Sequence, residues 1–203
     1  HILSHLKLSD GVAGFLLANG ALNDSDTLEI RKKLIQKDKV ESIIVLPREL
    51  FITTDISVTL WILNQNKKGG NYHNRKLRNR EHEFLFMDLR QWTENPVRGE
   101  SKKKVQLVTK QIEKASDIYH TWQCDGTDGK NYEIPELYRS VSIEEIERKG
   151  WTLTPSKYIE FVDHDLDINY EKEMARIQSE MKEIMEQEKK SQLMLKDAFR
   201  EIG

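Results

Sequence analysis

Phe51, Thr53, Thr54 and Asp55 lie close together in the stretch ELFITTDISVTLWIL, residues 49–63. An aromatic face beside two hydroxyls and a carboxylate joins a stacking surface to hydrogen-bonding groups, a set suited to the edge of a binding cleft. A plainer role also suits these residues. Thr53 and Thr54 would begin a strand, Asp55 would accept backbone bonds in a turn, and Phe51 would plug the core. A second candidate set lies in NQNKKGGNYHNRKLRNR, residues 64–80, which carries Lys67, Lys68, Arg75, Lys76, Arg78 and Arg80 and no acid. Its Gly-Gly and Asn residues predict a loop, whose cations would either contact phosphates or simply be solvated.

For the first set to line a cleft, the flanking apolar runs must carry it to the end of a sheet. GVAGFLLANGAL reads as a buried strand closed by a turn at Asn19-Gly20. DSDTLEIRKKLIQKD follows, with Leu28, Ile30, Leu34 and Ile35 near helical spacing, acids early and lysines late, as the helix dipole prefers. VESIIVLP supplies a second apolar run, and a helix between two such strands implies a right-handed parallel crossover. The third run, Val58 to Leu63, comes too soon for a crossover helix and is expected to pair antiparallel to a neighbour. A mixed sheet results. In open α/β sheets ligands bind beyond the carboxyl ends of the strands, so the Asn19-Gly20 turn and the segment from Pro47 to Ile56 are expected to meet at one cleft.

Farther along, EFLFMDLR reads as another strand and Val105 to Trp122 as a helix with a broad apolar core stripe. CDGTDGKNYEIP is a loop whose aspartates lack the spacing and closing Glu of a calcium loop. From Asn169 to Ile202 nearly half the residues are charged and none is Gly or Pro, which predicts one long exposed helix. Met174, Ile177, Met181, Ile184, Leu195, Ala198 and Ile202 follow a heptad seam interrupted at Glu188 and Ser191. That seam points to association with a partner helix, with docking on its own domain as the alternative.

Bulk properties set the outer limits. A chain of 203 residues can bury one sizeable core, and a formal net charge of -2 argues against coating nucleic acid by charge alone while leaving room for a local basic patch. Cys124 stands alone, so no intramolecular disulfide or multi-cysteine metal site forms, which suits a reducing cytosol. The histidines show no metal or nucleophile spacing. No apolar run reaches about eighteen residues and no signal segment is present, so a soluble, cytoplasmic protein without membrane association is expected. The opening HILSHLKLSDG lacks an initiator Met and reads as the tail of an amphipathic helix, as in a piece of a longer protein.

In order and spacing, GVAGFLLANGALN, EIRKKLIQKDKVESIIVLPRELFITTDISVTLWILNQNK, FLFMDLR and YRSVSIEEIERKGWTLTPSKYIEFV resemble the carboxyl-terminal half of the modification subunit of type I restriction-modification systems. These are adenine-N6 DNA methyltransferases, and the resemblance covers most of residues 1–165. It implies an α/β fold: the C-terminal part of a mixed-sheet, Rossmann-like, S-adenosylmethionine-dependent methyltransferase domain over residues 1–90. A helical and loop extension (91–165) and a long C-terminal helix for subunit association (166–203) would follow. It also implies S-adenosylmethionine as the parent enzyme's cofactor, and DNA, a specificity subunit and a restriction subunit as partners.

The family takes its cofactor at a Gly-containing turn and acts through an Asn-Pro-Pro-aromatic motif, both upstream of the matched region and absent here. Asn95-Pro96-Val97 lacks the second proline and the aromatic. No catalytic residue and no metal ligand is therefore expected in this chain, which alone should be inactive. In the parent, adenine must leave the duplex stack to present N6 to the methyl donor, and a flipped base wants an aromatic partner. Phe51 occupies the position similar to that of the aromatic in related enzymes. Thr53, Thr54 and Asp55 match the family's polar cluster, and Asn19 and Gly20 match its Pro-Asn-Gly turn, with Ala18 in place of the proline. A non-catalytic interaction module, using the sheet as a platform and the last helix to bind a partner, is the alternative.

Overall fold

The computed structural model describes residues 1–51, 55–72, 74–92, 105–162 and 170–202. They fall in two compact units, His1–Phe161 and Val162–Gly203. The first unit opens with a short helix α1 (Ile2–His5) and strand β1 (Val12–Ala18). Two 3₁₀ turns, Asn19–Leu22 and Ser25–Thr27, lead into helix α2 (Leu28–Gln36). Strands β2 (Val40–Val45) and β3 (Val58–Asn64), a small hairpin of β4 (Gly70–Tyr72) and β5 (Arg75–Leu77), and β6 (Glu83–Asp88) follow. Helix α3 (Thr109–Gln123), strands β7 (Glu133–Ile134) and β8 (Tyr138–Ser142), helix α4 (Ile143–Arg148) and a 3₁₀ turn, Pro155–Lys157, complete it.

Six strands form one sheet in the order β1-β3-β2-β6-β8-β7. The apolar runs of β2 and β6 reflect burial on both faces and both edges. Ile43, Phe84 and Phe86 pack on one face with Ile35 of α2, Trp61, Leu63 and Tyr158. Ile44, Leu85 and Met87 pack on the other with Ile118 and Trp122 of α3. β2 and β6 run parallel, as continuous apolar strands with helices on either side commonly do. The β8 strand, from beyond residue 90, is antiparallel to β6, so the extension contributes to the same sheet.

Three sequence expectations change. β1 and β2 are parallel, yet β3 lies between them and pairs antiparallel with both, so the crossover spans a strand. β1 is an edge strand rather than a buried one: Val12 and Leu16 are 45% exposed. Its outer edge has no strand partner among the described residues, and only one of its faces, through Phe15, meets the core. The third helix begins at Thr109, because Val108 is held in an extended conformation. No helix among the described residues is long and apolar enough to cross a membrane.

Candidate functional site

Strand register brings the sequence-predicted loops to one edge of the sheet. Ala18 pairs with Val58, and Val45 with both Thr59 and Asp88, so the turn after β1, the loop from β2 to β3 and the exit of β6 leave side by side. Asn19 and Gly20 are exposed on the first of these. The turn carries no proline, but the buried Arg31 of α2 braces it from within. Its guanidinium donates to the carbonyls of Ala21 at 3.3 Å, Asp24 at 3.0 Å and Trp151 at 3.1 Å, and to Thr27 Oγ1 at 2.7 Å. Burial lowers the Arg31 pKa, partly offset by the nearby Asp24 carboxylate. Leu22, itself buried, accepts the backbone N–H of Leu153 at 2.9 Å.

The β2–β3 loop is clipped at its base, where Leu46 N donates to the Val58 carbonyl at 2.9 Å and Ser57 Oγ to the Leu46 carbonyl at 2.6 Å. Within it Glu49 adopts a left-handed φ of 61°, a conformation that costs a non-glycine residue about 1 kcal/mol and tends to persist at functional sites. Phe51 is half-buried, packed against the cluster that holds Leu85, Met87 and Trp122. Asp55 is exposed, and its carbonyl accepts from Arg48 Nε at 3.4 Å. Thr53 and Thr54 lie outside the described residues, as does Asn95-Pro96-Val97.

The basic segment is at the opposite end of the sheet, about 20 Å away by strand length, and much of it turns inward. Lys67 is 3% and Arg80 0% exposed, which removes both as phosphate contacts in the fold described here. Lys67 Nζ binds Asp38 and the carbonyls of Val40 at 3.0 Å and Glu83 at 2.7 Å, and lies 4.2 Å from the centre of the Phe84 ring. Its burial lowers the ammonium pKa, against the pull of Asp38. Arg80 Nε meets the fully buried Glu41 at 2.9 Å. Glu41 also accepts from Asn64 Nδ2 and Tyr119 Oη, each at 2.7 Å, and from Gln123 Nε2 at 3.2 Å. Burial and the Glu41 charge push the Tyr119 hydroxyl well up, so it stays a donor.

The remaining cations of the segment are committed to differing degrees. Arg75 donates to His120 Nδ1 and to Gln123 Oε1 at 2.6 Å, and Arg78 binds the Trp122 carbonyl and Glu83. Lys76 is exposed and paired with Asp125, and Lys68 is exposed. The expected loop contains the β4–β5 hairpin, pinned down by these contacts. A cleft of about 400 Å³ opens beside it, walled by Val12, Asn64, Tyr72, Arg75, Tyr119 and His120. One sequence signal pointed here: an acid inside the apolar run VESIIVLP predicts a buried carboxylate that needs donors.

The N-6 DNA methylase family matches residues 1–166. The chain belongs to that family. Similar relatives include the methylase subunit of the type I restriction enzyme HindI of Haemophilus influenzae, 32% identical over 90% of this chain and 38% of the relative. Another is the MjaIX methylase subunit of Methanocaldococcus jannaschii, 28% identical over 100% of this chain and 34% of the relative. The chain thus spans just over a third of the length of those relatives. Among solved structures, the type I methyltransferase subunit of Streptococcus thermophilus superposes with a TM-score of 0.59 at 24% identity, covering 78% of this chain and 28% of that one. A structure of a type I restriction-modification system described for complex assembly and conformational transition gives 0.54 at 18% identity, covering 96% and 38%.

The second unit contains helix α5 (Tyr170–Ile202). Met174, Ile177, Met181 and Ile184 are 36%, 47%, 61% and 64% exposed along it. The side chain of Leu195 lies outside the described set. Arg176 ties Glu173 and Glu180 along the polar face, pairs at helical spacing worth only a few tenths of a kcal/mol each.

Proposed function

We propose that this chain is the carboxyl-terminal part of a type I methylation subunit that transfers a methyl group from S-adenosylmethionine to adenine N6 in DNA, in a Rossmann-like sheet continued by strands upstream of His1. The observation that carries the reading is the meeting of the Asn19-Gly20 turn and the Phe51 loop at the carboxyl ends of parallel β1, β2 and β6. The open edge of β1 supports it, since an unpaired edge with exposed Val12, Leu16 and Leu17 suits a sheet that continues.

The cofactor supplies the methyl group and would be held by upstream residues, because this chain has no matching turn and no Asn-Pro-Pro motif. On the base side, Phe51 stacks on the flipped adenine, a contact worth roughly 1–3 kcal/mol. Asp55, with Thr53 and Thr54, shapes the loop or contacts the DNA, and the Arg31-braced turn holds Asn19 beside it. The α5 seam of Met174, Ile177, Met181, Ile184 and Leu195 packs on helices of the specificity subunit, and the restriction subunit joins the same cytoplasmic complex. The exposed seam also favours a second reading, a non-catalytic module that binds a partner helix.

The test is methyl transfer from radiolabelled S-adenosylmethionine to duplex DNA by the polypeptide carrying the upstream motifs, assembled with its specificity subunit. Transfer by that assembly and none by residues 1–203 alone is expected. No transfer by the assembly would overturn the methyltransferase reading and leave the module.

A further inference from the structure

The cations of residues 64–80 lie at the far end of the sheet, which raises the question of which cations stand at the rim itself. Arg90 and Arg48 do. Asp88, the last residue of β6, is 3% exposed, and its carboxylate grips Arg90 at two points. Arg90 Nε lies 2.9 and 3.0 Å from the two carboxylate oxygens and Nη2 lies 2.5 Å from Oδ2, while the Arg90 backbone N–H donates to Oδ1 at 3.1 Å. The Arg90 side chain nevertheless keeps 43% exposure, with Nη1 outside the grip. A buried carboxylate therefore fixes a guanidinium at the surface while offsetting part of its charge.

The surroundings place that guanidinium. Leu89 N donates to the Val45 carbonyl at 2.9 Å, which sets Arg90 beside Leu46 and Pro47, where the Phe51 loop begins. Arg48, exposed on the same loop, reaches across to the Asp55 carbonyl. α3 starts at this edge too: Val105 N binds the Glu49 carbonyl at 3.2 Å and Gln111 Nε2 the Trp92 carbonyl at 2.5 Å, so the positive end of its dipole adds to the field. Three strand spacings separate β6 from β1, roughly 14 Å, the rise of about four base pairs.

Resting on the reading above, we infer that Arg90, oriented by Asp88, contacts a DNA phosphate flanking the target base, with Arg48 as a second phosphate contact, and that the 64–80 segment does not serve this role. The test is the salt dependence of binding of a labelled duplex to the complete assembled enzyme. Arg90→Gln is expected to lower the slope of log K against log salt by about 0.9, the value for one phosphate contact, with Arg90→Lys restoring it. Asp88→Asn/Arg90→Gln, which leaves no buried carboxylate without a counter-ion, is expected to show the same loss of slope. Lys76→Gln, at the far end, is expected to leave the slope unchanged. Weaker binding by Arg90→Gln with an unchanged slope would mark a structural role and overturn the inference, as would a fall with Lys76→Gln alone. No duplex binding by the unaltered enzyme would overturn the proposed function itself.

Discussion

Phe51 is half-buried, so core filling and base stacking compete as its role, and one variant separates them. In the complete enzyme Phe51→Ala is expected to reduce methylation about tenfold, from a stacking loss of 1–3 kcal/mol, with cofactor affinity unchanged. Unchanged turnover at saturating DNA would remove Phe51 from the base pocket. A fall in melting temperature matching the loss of activity would make it a core residue. Glu41 makes the opposite kind of demand. Glu41→Gln leaves Arg80 buried without its counter-ion and is expected to destabilise the fold by about 3–5 kcal/mol, measured from the urea midpoint. A change below about 1 kcal/mol would show that the Asn64, Tyr119 and Gln123 donors, rather than the charge pair, hold this site. At this scale the position of Asn19, Phe51 and Asp55 at one end of the sheet was legible, because register is set by local strand pattern. The Glu41–Arg80 pair was not, because its partners stand 39 residues apart.

Among the elements, α5 is the one whose apolar seam stays exposed through its described side chains. An isolated helix draws little stability from propensity alone, so the seam is expected to act only against a partner. Met181→Lys with Ile184→Lys is expected to abolish co-purification with the specificity subunit while leaving the melting of the first compact unit unchanged. Normal co-purification of that double variant would refute the assignment. The α5 heptad, the α2 helix and the β2, β3 and β6 runs were all readable from periodicity. The β4–β5 hairpin was not, since what holds it is Arg75 and Arg78 meeting α3 rather than any turn signal of its own.

For the whole molecule the open side of β1 matters most. Its outward amide groups lack a strand partner among the described residues, and exposed edges of this kind invite pairing. Hydrogen exchange of Val12–Ala18 is expected to be fast at outward amides in this chain alone and slowed at least tenfold when the upstream half is present. That factor corresponds to about 1.4 kcal/mol of added protection. Equal exchange in the two states would mean that the sheet does not continue there. The sequence by itself determined the α/β class, the mixed sheet, the turn and loop that leave the same end of that sheet, and the long apolar-seamed helix, because periodicity and turn chemistry act over a few residues. Only the tertiary structure decided that β3 lies between β1 and β2, that β1 is an edge, and that Lys67 and Arg80 are buried while Arg90 is held at the rim. Those outcomes depend on which distant strand ends meet, and a charge in a chain carries no mark of whether an opposite charge will fold against it.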